Sequence, residues 1–189
     1  MTKDQAMIMN ECSKGDSRYQ KLLYEEYHSI LMKVAFRYVS TYEQALELTQ
    51  NGFLKIFHEF IGFKFDQSVL SRETLFTWIK KTFIVTLVDH IKSAFDLYKP
   101  RPIPEDIWKQ HDGPFTDEER MHIELIKILK SLPIMYRLVF NLHIMDGFTH
   151  GEIGGMLGIT VKGSKQYLIK ARENLTNHSI NPVISWVHT

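Results

Sequence analysis

The amino-acid sequence predicts an all-α protein with two helical domains, an N-terminal helical bundle and a C-terminal four-helix domain carrying a helix-turn-helix, joined by a proline-bearing linker. Three observations predict it. Apolar residues recur at three- and four-residue spacing in the long segments, and no stretch sustains the two-residue alternation of a strand. Four of the six prolines fall within residues 96–117, which hold no sustained period. Charge divides at the same place: residues 1–95 carry 12 basic and 11 acidic groups, 96–120 carry 4 and 7, and 121–189 carry 7 and 4. An acidic middle thus separates a near-neutral first part from a basic last part, which favours a nucleic-acid contact near the C-terminus.

Composition narrows the class. Hydrophobic residues make up 44% of the 189, charged ones 24%, and the net charge is +1, as in ordinary soluble globular proteins. Cys12 is the only cysteine, so neither a disulfide framework nor a cysteine-based zinc site is available. The opening MTKDQAMIMNE is too polar for a signal peptide, and the most apolar run, FIVTLV at 83–88, is too short to span a bilayer. A reducing, cytoplasmic location is the expectation, with no membrane insertion of its own.

The elements follow in order. The opening residues are polar and end at Gly15-Asp16, a turn. From Ser17 to about Ser40, Leu23, Tyr27, Ile30, Val34 and Tyr38 line one helical face. Thr41 followed by Gln44 forms a capping-box pattern, opening a helix to about Phe60. Its inward residues are Ala45, Leu48, Gly52, Phe53, Ile56 and Phe57, while Glu43, Glu47, Gln50, Asn51 and Lys55 face outward or flank. Residues 61–71 break the period and read as a loop with Phe63 and Phe65. Those aromatics, beside Lys64, Lys80 and Lys81, suit stacking on unpaired bases, although core packing is the commoner use of such residues. Ser71 then caps a helix to about Phe95, with Leu75, Trp78, Ile79, Phe83, Leu87 and Ile91 inward. As a coil, the 22 linker residues would have an r.m.s. span of roughly 26 Å and a full reach of about 75 Å.

Beyond the linker, Thr116 and Glu119 open a helix with Met121, Leu125, Ile128, Leu129 and Leu132. Pro133 suits the first position of the next helix, which stops at Asp146-Gly147. The stretch 148–174 then reads as two short helices joined by a tight turn. Thr149 and Glu152 form a capping box, Phe148 and Ile153 a hydrophobic staple, and Gly158 a left-handed helix end. Thr160 caps the second helix, whose Val161, Ser164, Leu168, Ala171 and Leu175 face inward. Opposite them stand Lys162, Gln166, Ile169 and Lys170, with Lys165 on the flank. A basic second helix after such a turn has the pattern that lies in a DNA major groove, although capped helical hairpins with outward lysines also occur in bundles that bind nothing. Residues 177–189 form a tail.

The sequence carries no catalytic motif. GITVKGSK at 158–165 misses a phosphate loop, because serine precedes lysine and a helix, not a strand, comes before the glycine. The nine histidines show no HExxH and no paired zinc spacing. No catalytic residue, metal site or cofactor is expected.

Four blocks resemble, in order, the extracytoplasmic-function sigma factors of bacterial RNA polymerase, in the sigma-70 family: LYEEYHSILMKVAFRYV (23–39), ALELTQNGFLKIFHEF (45–60), LFTWIKKTFIVTLVDHIKS (75–93) and the long stretch 132–175. The resemblance implies domains at 1–95 (region 2-like, for core binding and −10 recognition and melting) and 118–176 (region 4-like, for −35 recognition). It implies that the second block docks on the clamp of the largest polymerase subunit, through Glu47, Leu48, Gln50, Asn51 and Phe53. It implies −10 contacts from Lys64, Phe65, Asp66, Gln67 and Ser68 in the loop and from Trp78, Lys80, Lys81 and His90 on or beside the next helix. For the −35 element it implies Lys162, Ser164, Lys165, Gln166 and Lys170. The implied partners are RNA polymerase core, including the flap of its second-largest subunit, promoter DNA, and an anti-sigma factor of the kind common in the family. Ile84 and Val85 depart from the family's Arg-Asn, Asn51 from an acid, and Val161-Lys162-Gly163 from Glu-Gly-Thr. A stand-alone helix-turn-helix regulator, acting without polymerase, is the alternative reading.

Overall fold

The computed structural model describes residues 3–61, 72–94, 124 and 126–176. The chain divides into two compact units, Met1–Phe36 with Tyr42–Ser93, and Arg37–Thr41 with Ala94–Thr189. Every regular element among the described residues is helical, in agreement with the all-α expectation.

The first unit is built from α1 (Lys3–Ser13), α2 (Ser17–Tyr38, of which residues to Phe36 belong here), α3 (Tyr42–Phe60) and α4 (Arg72–Ser93). Helix α1 was not anticipated; Met9 and Cys12, one turn apart, are buried and anchor it. That spacing was the available signal, masked by the polar residues around it. Burial pushes the Cys12 thiol up to about 11, so it acts as a small apolar residue rather than a nucleophile. The expected turn is present: Gly15 has φ 81°, and Asp16 accepts the Arg18 amide at 2.9 Å. The hydrogen bonds from Arg18 hold the Asp16 carboxyl below its ordinary range.

On α2, Leu23, Tyr27 and Val34 are buried as expected, but Ile30 is exposed, and Leu31 and Ala35 take up the inner face. The stripe drifts because 3.6 residues per turn do not divide seven evenly. On α3 the buried set is Ala45, Leu48, Thr49, Gly52, Phe53, Ile56 and Phe60. Phe57 is half-buried, and Thr49 is admitted to the core because its hydroxyl donates to Ala45 O at 2.7 Å. Helix α4 packs on α3. At Gly52 a side chain would run into the Phe83 ring, so the glycine is what allows this approach.

The second unit holds a helical segment at 126–131, then α5 (Ile134–Phe140), a wide turn of π-helix over Asn141–Met145, α6 (His150–Leu157) and α7 (Val161–Thr176). Pro133 is the cap residue of α5 (φ −50°, ψ 141°) instead of its first helical residue. The π turn closes with Asp146 N–H on Asn141 O at 3.0 Å, and Gly147 at φ 77° ends it. Within this unit Arg37 donates to Asp146 at 2.7 Å and the Tyr38 hydroxyl donates to the same carboxylate at 2.6 Å. Burial, together with the Asp146 charge, holds the Tyr38 phenol well above its usual range. Helices α5 and α6 both pack on α7. Lys130 and Arg137 are buried in the same unit; burial lowers the lysine to about 7 and the arginine to about 10. Nothing in the sequence pattern foretold two interior cations.

The expected loop at 61–71 beyond Ile61, the linker 96–117 and the tail 177–189 lie outside the described residues. Among the described residues no helix is long and apolar enough to cross a membrane. None of them form a group of three or more acidic, histidine or cysteine side chains able to hold a metal ion.

Candidate nucleic-acid interface

The helix-turn-helix is assembled almost entirely by local chemistry. The Thr149 hydroxyl accepts the Glu152 amide at 3.2 Å, and the Glu152 carboxylate accepts the Thr149 amide at 2.8 Å, closing the capping box. Phe148 and Ile153, on either side of that cap, are buried as a hydrophobic staple. Gly158 ends α6 at φ 69°, in the left-handed region that a side chain disfavours. The next amide, Ile159 N–H, donates to Gly154 O at 3.0 Å, folding the turn back on the helix. A Cβ at Gly154 would stand 2.8 Å from the Ile159 carbonyl oxygen, so this turn is tight enough to require glycine twice. Thr160 then caps α7, its hydroxyl accepting the Gly163 amide at 3.0 Å.

Helix α7 divides cleanly by face. Ser164, Leu168, Ala171 and Leu175 are buried against the rest of the unit. Lys162, Lys165, Gln166, Ile169 and Lys170 are exposed, and Val161, expected inward, is exposed as well. The outward face thus carries three lysines and an amide in its first ten residues, a donor-rich strip suited to phosphates and base edges. Ser164 does not belong to it. Its side chain is fully buried and shares a 2.9 Å hydrogen bond with His150 Nδ1, so it joins α7 to α6 and cannot reach a base. Helical bearing decides the point: Ser164 lies four residues before Leu168 and seven before Ala171, on the inner stripe.

Behind Ser164 stands a pair of histidines that sequence reading passed over. His143 and His150 stack with centroids 4.1 Å apart. The Phe148 carbonyl can only accept, so His143 Nδ1, at 2.8 Å from it, carries a proton. Burial, then His143, Lys165 and Arg172, push the His150 imidazole below its ordinary value. Their separation of seven residues across a helix break hides the pair from any local pattern.

The first unit places the other expected residues. On α3, Glu47 and Gln50 are exposed and Asn51 is half-buried, but Leu48 and Phe53 are core residues, 1% and 2% exposed. These two support the helix from behind and are withdrawn as direct contacts. Leu54, 67% exposed, stands on the outward side beside Gln50 and Asn51. On α4, Trp78 is half-buried with its ring edge-on to Phe60 at 5.0 Å, Lys80 is half-buried, and Lys81 and His90 are exposed. His90 lies twelve residues beyond Trp78, about 18 Å along the helix, so these four side chains do not converge on one point. Lys64, Phe65, Asp66, Gln67 and Ser68 lie outside the described residues.

Residues 122–175, which contain this helix-turn-helix, match the family model described as sigma-70, region 4. The chain is 22% identical over 194 residues to the ECF RNA polymerase sigma-E factor of Escherichia coli K12, covering 94% of this chain and 95% of that protein. Residues 122–175 thus carry a sigma-70 region 4 match, and over most of its length the chain is similar to extracytoplasmic-function sigma factors. It is also 24% identical over 165 residues to the probable ECF sigma factor SigI of Mycobacterium tuberculosis H37Rv, covering 82% of this chain. That alignment spans about half, 53%, of the SigI protein. Among solved structures, CnrH in complex with the cytosolic domain of CnrY aligns at TM-score 0.48 and 17% identity, over 90% of this chain and 94% of that one.

Proposed function

We propose that this chain is a sigma factor of the extracytoplasmic-function kind, which joins RNA polymerase core and directs it to promoters, reading a −35 element as duplex through α7 and a −10 element as melted strand through the loop and α4 of the first unit. The observation that carries the reading is the exposed strip of Lys162, Lys165, Gln166 and Lys170 on the second helix of a fully capped helix-turn-helix, within the stretch that matches region 4. The lysines supply salt-dependent phosphate affinity, and Gln166 can pair in bidentate fashion with an adenine edge. The outward side of α3, with Glu47, Gln50 and Asn51, is the proposed polymerase face, against the clamp; the second unit is proposed to meet the flap. The chain has no catalytic role of its own in this reading, and an anti-sigma factor is its proposed regulator.

The test is reconstitution with core polymerase and run-off transcription from promoters mapped by genome-wide binding. Specific transcripts absent with core alone are the expected result. Tight, sequence-selective duplex binding by the free chain, with no effect on core polymerase, would instead establish a stand-alone regulator. In the holoenzyme, Lys162→Ala and Lys165→Ala should each flatten the dependence of log affinity on log salt by about one phosphate's worth, a slope change near 0.9.

A further inference from the structure

Alongside Val161 at the helix start, Ile169 is an apolar side chain of α7 that burial does not account for. It is 56% exposed, it is β-branched, and it stands on the outward face, while the inner stripe of Ser164, Leu168, Ala171 and Leu175 is complete without it. A β-branched residue at an exposed helical position is slightly less favourable than alanine, so neither propensity nor burial explains its presence. Its neighbours on the helix surface, four and three residues earlier, are Lys165 and Gln166; Lys162 lies two turns earlier on nearly the same bearing, and Lys170 follows it. An apolar tip framed by cations fits a polyanion that also offers an apolar spot. Double-stranded DNA is such a polyanion, and the only apolar group its major groove presents is the C5-methyl of thymine. Ile169 lies eight residues, about 12 Å, along the axis from the start of α7, and a major groove about 12 Å wide admits a helix of about that diameter.

We infer that Ile169 is a specificity-determining residue that packs against a thymine methyl in the duplex element read by α7. The inference rests on the proposal that α7 enters a major groove, and it names one base that the helix selects. Lys165 and Gln166 orient the side chain along the groove, while its branched methyls exclude water from the thymine.

The test uses full-length protein reconstituted with core polymerase. Duplexes are selected from a pool randomised over the upstream promoter element, and each thymine of the selected sequence is then replaced singly by deoxyuracil, which removes only the methyl. One position should lose about fourfold in affinity, the worth of one buried methyl. Ile169→Ala should abolish that loss at that position and leave the other positions unchanged, and Ile169→Val should retain it. Because Ile169 is exposed, neither variant threatens the fold. Selection of a sequence with no uracil-sensitive position overturns the inference alone, as does a uracil penalty that Ile169→Ala leaves intact. Failure to enrich any duplex overturns both the inference and the proposal on which it rests.

Discussion

The α3–α4 contact of the first unit and the α6–α7 contact of the second are both close helix pairs, and they are close for different reasons. In the first, large aromatics fill the space: Phe60 meets the Trp78 ring, and Gly52 makes room for the Phe83 ring. In the second, the proximity comes from the backbone. Gly154 admits the Ile159 carbonyl, Gly158 turns left-handed, and two threonine caps satisfy helix-end amides. Packing of side chains is specified by residues far apart in the chain, whereas a capped turn is specified by neighbours. The presentation of α7 therefore depends on a few backbone positions, and the presentation of α3 on core volume.

The largest effect should come from the first contact. Phe83→Ala leaves a ring-sized void between α3 and α4 and should cost about 3–5 kcal/mol, read by chemical denaturation, with amide exchange accelerated in those two helices. Gly52→Ala probes the same space from the other side; a loss of about 1–3 kcal/mol, relieved by Phe83→Leu, would show that overpacking is the cause. A neutral Gly52→Ala would break the comparison.

Next in size is Gly154→Ala. Helix propensity favours alanine by about 1 kcal/mol, yet the methyl would press on a backbone carbonyl that cannot swing aside. A net loss of about 1–2 kcal/mol is expected, together with a displaced α7 and, under the proposed function, weakened promoter binding. Thr149→Ala removes one half of the capping box and should cost about 1 kcal/mol, with Thr149→Ser restoring most of it. Thermal unfolding monitored at α6 separates these from changes elsewhere.

The smallest effect is the pH dependence that His150 contributes. The imidazole of His150 binds its proton less readily in the folded protein than in the unfolded chain, owing to burial, His143, Lys165 and Arg172. The unfolded chain therefore binds more protons below its own value near 6.5, and folding stability falls as pH drops through that range and beneath it. His150→Gln should flatten the decline between pH 7 and 5 in a denaturation series, while leaving stability above pH 7 little changed. Lys130, lowered to about 7 by burial and then by Arg137, acts at higher pH with the same sign: stability rises from pH 7 toward the unfolded lysine's value near 10.5.

The features legible in the sequence share a property. The caps at Thr149 and Thr160, the left-handed Gly158, the staple of Phe148 and Ile153 and the inner stripe of α7 are all set by residues within a turn or two of each other. Helical bearing was the more reliable guide wherever two readings competed. It placed Leu48, Phe53 and Ser164 inward, whereas motif resemblance offered them as contacts, and all three are buried. A motif records which residues recur in a family and does not separate those that touch a partner from those that hold the touching residues in place.

By itself, then, the sequence determined the helical class, the bounds and caps of the helix-turn-helix and the lysine-rich face of α7, because each follows from local periodicity and capping chemistry. Only the tertiary structure decided that α1 is anchored by Met9 and Cys12, that Gly52 gives way to Phe83, that Lys130 and Arg137 are interior, and that His143 stacks on His150 behind Ser164. Each of these depends on which surfaces meet across long separations or across a break in helical period, and burial, the quantity that sets both packing and proton affinity there, is defined only once those surfaces have met.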